Sequence, residues 1–346
     1  MATLDTSFDK THVAAIDAPI KGESLLASAV KRLLRNPFAV IGILIVLMFI
    51  GIAIFADQLA PRSFATQTLP DANSAPLWVT RVFAVMKPIE EGGYIKVNEN
   101  YLLGADNLGR DLFSRILHGT RVSLLVALIG PVVAMAIGLI VGMIAGYFGG
   151  RVDNIIMRVT DVMYAFPTLL LIILLMAFFR PSTGQLEPGT FAWQLNQLDS
   201  ASGGMFFIFV GIGITSWMQM ARLTRGLVLS VREQEYVLAA NAIGAGRFTI
   251  MLRHILPNIV GPLIVAETLT IPRYISYEAF LSFIGLGVNP PTPSWGAMIA
   301  EGSTAIRSYP NQALFPAIAL FLIMFAFNFL GDGLRDAFDP RMRGTH

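Results

Sequence analysis

The sequence predicts an all-α integral membrane protein, and three observations carry that prediction. Hydrophobic residues make up 54% of the 346-residue chain and charged residues only 14%, with a mean hydropathy of +0.63, whereas soluble domains hold the two classes closer to balance. Uncharged apolar runs close to the roughly 20 residues needed to cross a bilayer recur along the chain. No series of alternating segments of about ten residues, the mark of a membrane barrel, is present.

Six spans follow in order. Phe38–Ala56, Val122–Gly150, Val162–Phe179, Ala201–Ala221 and Asn311–Gly331 are uncharged throughout. The remaining span, Pro257 to about Gly285, carries Glu267, Arg273 and Glu278 together with Pro262 and Pro272. Ionisable groups at membrane depth face a bundle interior or a wet cavity, and neighbouring helices resatisfy the carbonyls that a proline frees. Before the first span lies a polar tail, Met1 to about Gly22, with no apolar core, which argues against a cleaved secretory signal.

Short connections rich in Lys and Arg mark the cytoplasmic side of a membrane. Lys31, Arg32 and Arg35 precede the first span; Arg151 and Arg158 lie between the second and third; Arg222, Arg225, Arg232, Arg247 and Arg253 surround the fourth connection; Arg335, Arg341 and Arg343 follow the last. The opposite short loops hold Arg180 and Arg307. Both termini are therefore expected in the cytoplasm. The long segment from Asp57 to Arg121 places Arg110, Arg115 and Arg121 outside, which long loops tolerate.

Several chemistries find no support. Without cysteine there are no disulfides and no thiolate sites, and no G-x-x-x-x-G-K-[ST] exists to bind a nucleotide. His12, His118, His254 and His346 show no metal-ligand spacing, so neither a metal nor a cofactor is expected on this chain. A net charge of +2 is accounted for by the cytoplasmic basic residues and gives no case for nucleic acid. Glu267 and Glu278, eleven residues apart, fall near one helical face, with Arg273 as counter-charge. This set is readable either as bundle charges or as a cation path, the latter implying a secondary transporter. Gly138, Gly142 and Gly146 recur every fourth residue and predict close helix packing.

The most informative segment is the polar stretch Glu233–Pro257, EQEYVLAANAIGAGRFTIMLRHILP. Glu233 and Glu235 suit a helix start, Tyr236–Ile243 is helix-compatible, and Gly244 and Gly246 allow an end. The residues alone leave two readings open, a peg for a soluble partner or a surface linker.

This segment resembles the EAA loop of ABC importer permeases, which runs Glu-Ala-Ala, then Gly, then Ile-x-Leu-Pro. Ala239, Ala240, Gly244, Leu256 and Pro257 match; Leu238 stands where the pattern has Glu and His254 where it has Ile, and Glu235 lies on the same face as Leu238. LGADNLGRDLFSRILHGTRVSL from Leu103, EAFLSFIGLGVNPPTPSWGAMI from Glu278 and NFLGDGLRDAFDPR from Asn328 resemble the second permease subunit of the dipeptide and oligopeptide branch. Thr66–Asn100 has no counterpart in those blocks.

The resemblance implies a type I ABC importer transmembrane domain with six helices. It divides the chain into a tail at 1–37, a first helix at 38–56, an external segment at 57–118, a permease domain at 119–335 and a tail at 336–346. It also implies a second, homologous permease subunit, two ATPase subunits that hold ATP and Mg, a substrate-binding protein outside, and the plasma membrane of a prokaryote. Glu235, Ala239, Ala240, Gly244, Leu256 and Pro257 would form the ATPase-coupling helix. Cargo in this branch includes peptides, glutathione, nickel complexes and oligosaccharides. Trp295 is expected at the membrane interface, and Asp332, Arg335, Asp336 and Arg341 are expected to pair with one another.

Overall fold

The computed structural model describes residues 25–179, 187 and 189–338, so the tail before residue 25, Arg180, Arg341 and Arg343 lie outside the described residues. Its elements are helical: α1 (Leu25–Leu33), α2 (Pro37–Ile54), α3 (Ala56–Leu59), α4 (Leu77–Val82), α5 (Leu112–Phe148), α6 (Gly150–Tyr164), α7 (Thr168–Phe179) and α8 (Phe191–Ala201). The second half comprises α9 (Phe206–Arg232), α10 (Glu235–Ala242), α11 (Arg247–Thr249), α12 (Leu256–Phe283), α13 (Trp295–Ser303) and α14 (Asn311–Phe338). A π-helical stretch, Ile250–Ile255, leads into α12. Five helical stretches are long and apolar enough to cross a bilayer, and counting α6 with α7 as one bent span gives six.

Local chemistry sets the helix ends. Asn36 caps α2, its Oδ1 accepting from the backbone N–H of Phe38 at 3.0 Å and of Ala39 at 3.3 Å, while Pro37 occupies the first turn where no N–H is needed. α5 begins at Leu112, well before the apolar run that starts at Val122, because Asp111 caps it through the N–H of Ser114 at 2.9 Å. Its last carbonyls, on Gly146 and Tyr147, are met by the Arg232 guanidinium at 2.9 and 3.4 Å. A helix C-terminus favours a cation there. α9 likewise runs past its apolar part, since Arg222 pairs with Asp161 at 2.6 Å and Arg225 with Asp153 at 2.5 and 2.6 Å.

The expected third span is not a continuous helix. Pro167 lacks an N–H and its ring clashes with a helical carbonyl one turn earlier, so the chain breaks at Ala165–Pro167 and α7 leaves α6 at 79°. The charged half, α6, is tied to α9 by its two aspartates. The apolar half, α7, buries Ile172 against Gly211 of α9. Two further helices, α8 and α13, lie in stretches read as loops from the sequence.

α5 and α9 make the most extensive helix contact in the bundle. The glycine stripe is the reason: a Cβ on Gly138 would lie 2.6 Å from the Met220 Cβ, on Gly142 2.4 Å from the Ala221 carbonyl oxygen, and on Gly146 2.8 Å from the Val228 Cβ. Backbones that approach this closely gain dispersion contacts that lipid cannot supply. Gly42 does the same for α2 on α14, where a Cβ would sit 2.7 Å from the Ala326 carbonyl.

The segment between α3 and α5 folds down onto the start of α14. Ala75, Val79, Met86 and Ile95 form a small core with Tyr309 and Phe315. Gln312 Nε2 donates to Asn73 Oδ1 at 2.8 Å and Asn311 Nδ2 to the Leu103 carbonyl at 3.0 Å. Thr66–Asn100 is thus an ordered cap on the bundle end opposite α10.

Trp295 does not sit at a membrane interface. It is fully buried, edge-on to Phe49 with ring centroids 5.6 Å apart, and its Nε1 donates to the Ile116 carbonyl at 3.0 Å. Gly119 leaves the room, since a Cβ there would come 3.0 Å from the indole. An indole that finds both an apolar slot and an acceptor inside the bundle gains more than one at a wet boundary.

Candidate functional site

Three places hold most of the residues singled out by sequence: the α10 surface, a cavity at the α6–α7 break, and an ion-pair cluster at the opposite end.

α10 is a short block fixed on one face and bare on the other. Val237 and Ala240, one turn apart, are buried in a cluster with Met143, Met220, Val228, Ile250, Met251, Ile255 and Ile259, so α10 is seated on α9 and on the π-helical stretch that leads into α12. Gly244 ends it in the left-handed conformation at φ +85°. The N–H of Gly244 donates to the Asn241 carbonyl and that of Ala245 to the Ala240 carbonyl, both at 3.0 Å. This pair of bonds is the Schellman closure, which satisfies the last carbonyls of a helix and favours glycine. Gly246 has an extended conformation and opens α11 instead. Glu233 belongs to the end of α9, where it pairs with Arg232 at 3.0 Å, and Glu235 alone opens α10.

The bare face is apolar where it meets solvent. Ile243 is 86% and Phe248 72% exposed, and Tyr236, Leu238 and Leu252 are exposed beside them. Glu235 and Ala239, one turn apart, are also exposed, Leu256 is half-buried and Pro257 is exposed. Beside α10 lies a hollow of about 430 Å3 lined by Tyr147, Arg232, Leu238, Asn241 and Arg247 among others. A rigid apolar knob rimmed by arginines and a hollow is the form of a docking surface.

A cavity of about 330 Å3 opens where α6 and α7 part. α9 contributes Thr215, Ser216 and Gln219, and α12 contributes Thr270, Arg273, Tyr274 and Tyr277. Both sets fall at helical spacing, so each is a polar stripe on one face of its helix. Tyr164 to Thr168 complete the wall with the broken backbone itself. Irregular backbone at membrane depth is tolerated where it lines a wet cavity.

Of the three span charges, Arg273 acts on Glu267 through space without a direct ion pair, and Glu278 lies apart from both. Arg273 Nη1 donates to Gln219 Oε1 at 3.1 Å rather than pairing with a carboxylate. Glu267 accepts from Tyr274 Oη at 2.5 Å, and Glu278, fully buried, accepts from Ser282 Oγ at 2.7 Å. Eleven residues of helix separate the two glutamates by about 16 Å, and each is turned to its own hydroxyl. The pairing expected within Asp332, Arg335 and Asp336 is also absent among the described residues; Asp336 accepts from Asn36 Nδ2 at 3.4 Å, tying α14 to the α2 cap.

At the far end, Arg110 and Arg115 converge on Asp106 and Glu301. Arg110 Nε donates to Asp106 at 2.6 Å and its Nη2 to Glu301 at 2.7 Å; Arg115 bonds Asp106 as well and reaches Glu301 at 2.8 Å. Arg121 and His118 converge on Asp57 at 2.9 and 3.0 Å. The Arg121 hydrogen bond, followed by that of His118, holds the Asp57 carboxyl down at about 2. These ion pairs tie the segment between α3 and α5 to α5 and α13. Asp57, Asp106 and Glu301 escaped the sequence reading, because an arginine's partner is set by tertiary packing. The polar stripe Thr215, Ser216, Gln219 was detectable from its spacing inside an uncharged run.

The comparisons with known proteins agree with this geometry. Residues 138–344 match the family described as binding-protein-dependent transport system inner membrane component, and residues 24–76 match the N-terminal TM domain of oligopeptide transport permease C. The oligopeptide transport system permease protein OppC of Bacillus subtilis (strain 168) is 37% identical over 323 residues, covering 93% of this chain and 92% of that one. Its dipeptide counterpart DppC, from the same organism, is 37% identical over 321 residues, covering 92% and 87%. The glutathione transport system permease protein GsiD of Pectobacterium atrosepticum is 38% identical over 317 residues, covering 90% of each. Among solved structures, the inward-facing MetNI methionine ABC transporter superposes with a TM-score of 0.50 at 17% identity, covering 65% of this chain and 97% of that one. That likeness concerns the fold, a type I ABC importer membrane domain. This multi-pass membrane chain belongs to the binding-protein-dependent transport permeases, in their oligopeptide and dipeptide branch.

Proposed function

We propose that this chain is one half of the transmembrane pathway of an ATP-driven importer for di- or oligopeptides. A homologous permease subunit supplies the other half, a substrate-binding protein delivers cargo from outside, and two ATPase subunits dock from the cytoplasm, where both termini and α10 lie. The membrane is the plasma membrane of a prokaryote. This chain binds no cofactor in this reading; ATP and Mg belong to the ATPases.

The observation that carries the coupling role is the two-faced build of α10. Its buried face, Val237 and Ala240, is seated on α9 and the π-helical stretch that leads into α12, and its other face presents Tyr236 and Leu238 to solvent, continued by Ile243 at its end and Phe248 on α11. A partner that grips the exposed face and moves displaces α5, α9 and α12 as packed bodies, because close-packed interiors transmit strain rather than absorb it. Glu235, exposed at the positive end of α10, supplies the acidic group that Leu238 lacks. Ala239, Leu256 and Pro257 complete the docking face.

Peptide cargo rests on the relatives that align along almost the whole chain. The glutathione relative supports a second cargo, itself a small peptide with free carboxylates. Uptake of labelled di- and oligopeptides by a strain lacking this chain, with and without its restoration, tests the reading. Uptake restored only with the ATPases and the binding protein present is the expected result. Peptide uptake unchanged by the deletion, in a strain with no second peptide importer, would refute it.

A further inference from the structure

Arg273 is the one feature of the cavity that a purely structural account leaves over. It lies near the middle of α12's apolar length and is exposed, while its neighbours Pro272 and Tyr274 are buried. A guanidinium directed at lipid from that depth is strongly unfavourable, so this face of α12 looks onto water or onto the second permease subunit. The cavity around it is more polar than apolar, with Tyr164, Thr215, Gln219, Thr270 and Tyr277 in the lining beside Phe166 and Pro167.

Inside the chain, Arg273 makes no direct ion pair, although the Glu267 carboxyl lies within reach of its charge. Its Nη1 donates to the neutral Gln219 amide at 3.1 Å, which sets the direction of the fork. Glu267 is 4% exposed and its carboxylate faces the buried Tyr274 hydroxyl. The outward N–H groups of the guanidinium remain available in a site of reduced dielectric, which is the arrangement that recognises a planar carboxylate through two parallel hydrogen bonds. α7 also begins at Thr168 on the cavity wall, and its positive end adds to the same potential.

We propose that Arg273, positioned by Gln219, is a carboxylate-recognition point on the translocation path, which receives the terminal carboxylate of a peptide as it crosses. The inference rests on the reading of the chain as a peptide-importer permease. It assigns the cavity a cargo-contacting function and explains why a charge is kept where lipid excludes one.

The test uses the full importer reconstituted in vesicles, with two labelled probes: a tripeptide with a free C-terminus and the same tripeptide as its C-terminal amide. Uptake of each is measured at saturating occupancy of the binding protein, so that its own selection drops out of the ratio. In wild type the acid is favoured. Arg273→Gln is expected to lower the acid-to-amide ratio by at least about tenfold, because a neutral amide replaces the charged two-bond fork, with Arg273→Lys intermediate because it keeps the charge and lacks the fork. Should Arg273→Gln fail to assemble, Gln219→Ala leaves the guanidinium in place but unaimed, and the same ratio is expected to fall. A ratio unchanged in these variants, or acid and amide uptake lowered equally as when Arg273 merely pairs with the second permease, overturns the inference. A wild-type complex that moves neither probe refutes the peptide reading itself, and the inference with it.

Discussion

Replacing Gly244 isolates the mechanical contribution of α10. The residue sits at φ +85°, and a Cβ built on it meets nothing within 4 Å, so an added side chain clashes with no neighbour. The whole cost is conformational, roughly 1–2 kcal/mol for an L residue forced into the left-handed region and less for asparagine. If the chain relaxes instead, the two closing bonds at 3.0 Å, from Gly244 to Asn241 and from Ala245 to Ala240, are lost. A shift of 1–2 kcal/mol changes the ratio of intact to frayed helix by about 5- to 30-fold. The rest of the bundle is untouched, so assembly persists. The assay is peptide moved per ATP hydrolysed in the reconstituted importer, and the expected order is Gly244, then Gly244→Asn, Gly244→Ala and Gly244→Val. Wild-type coupling in the alanine and valine variants would show that α10 need not be rigid, and the peg mechanism fails with it.

Other perturbations read other parts of the molecule. Gly142→Ala pushes a methyl to within 2.4 Å of the Ala221 carbonyl, while Gly226 has open space around it. The first is expected to destabilise the bundle by about 1–3 kcal/mol and Gly226→Ala to leave it unchanged or slightly more stable, measured by unfolding in mixed micelles. Asp106→Ala leaves the Arg110 and Arg115 side chains, 8% and 3% exposed, sharing Glu301 alone. Breaking a buried pair costs about 3–5 kcal/mol, so the thermal transition should fall markedly, whereas the exposed Lys96–Asp71 pair should be dispensable. The Asp57 carboxyl lies at about 2 against an ordinary 3.8. Because the folded value is the lower, its pairing stabilises the fold above the ordinary value and is lost as pH falls to about 2. Arg121→Gln should move the midpoint up towards the ordinary value, read by carboxyl titration in isotope-edited infrared spectra.

How far the sequence could be read differs from element to element. The uncharged runs at 38–56 and 311–331 became α2 and α14 nearly as expected, since a membrane-length apolar stretch has few alternatives. The stripe Gly138, Gly142, Gly146 announced close packing but not its partner, which is the α9 backbone at Met220, Ala221 and Val228. The run at 162–179 looked continuous because hydropathy averages over Pro167, and the break there opens the cavity. Arg273 was visible as a charge in a span and was paired with glutamates by proximity in sequence. Its hydrogen bond goes to Gln219 on another helix, while only its charge reaches Glu267.

The sequence by itself determined the class, the continuous apolar spans, the block at Glu233–Pro257 and the family to which those residues point. Each of these is a local property, written in composition, in the 3.6-residue period or in a contiguous motif. Tertiary structure alone decided that Trp295 is a core residue, that Thr66–Asn100 is an ordered cap, that Asp106 and Glu301 hold Arg110 and Arg115, and that polar stripes from α9 and α12 meet at a broken helix. Periodicity says which residues share a face of one helix; which face of which neighbour they meet is set by crossing angles and the fit of side chains between helices, and a linear pattern does not contain those.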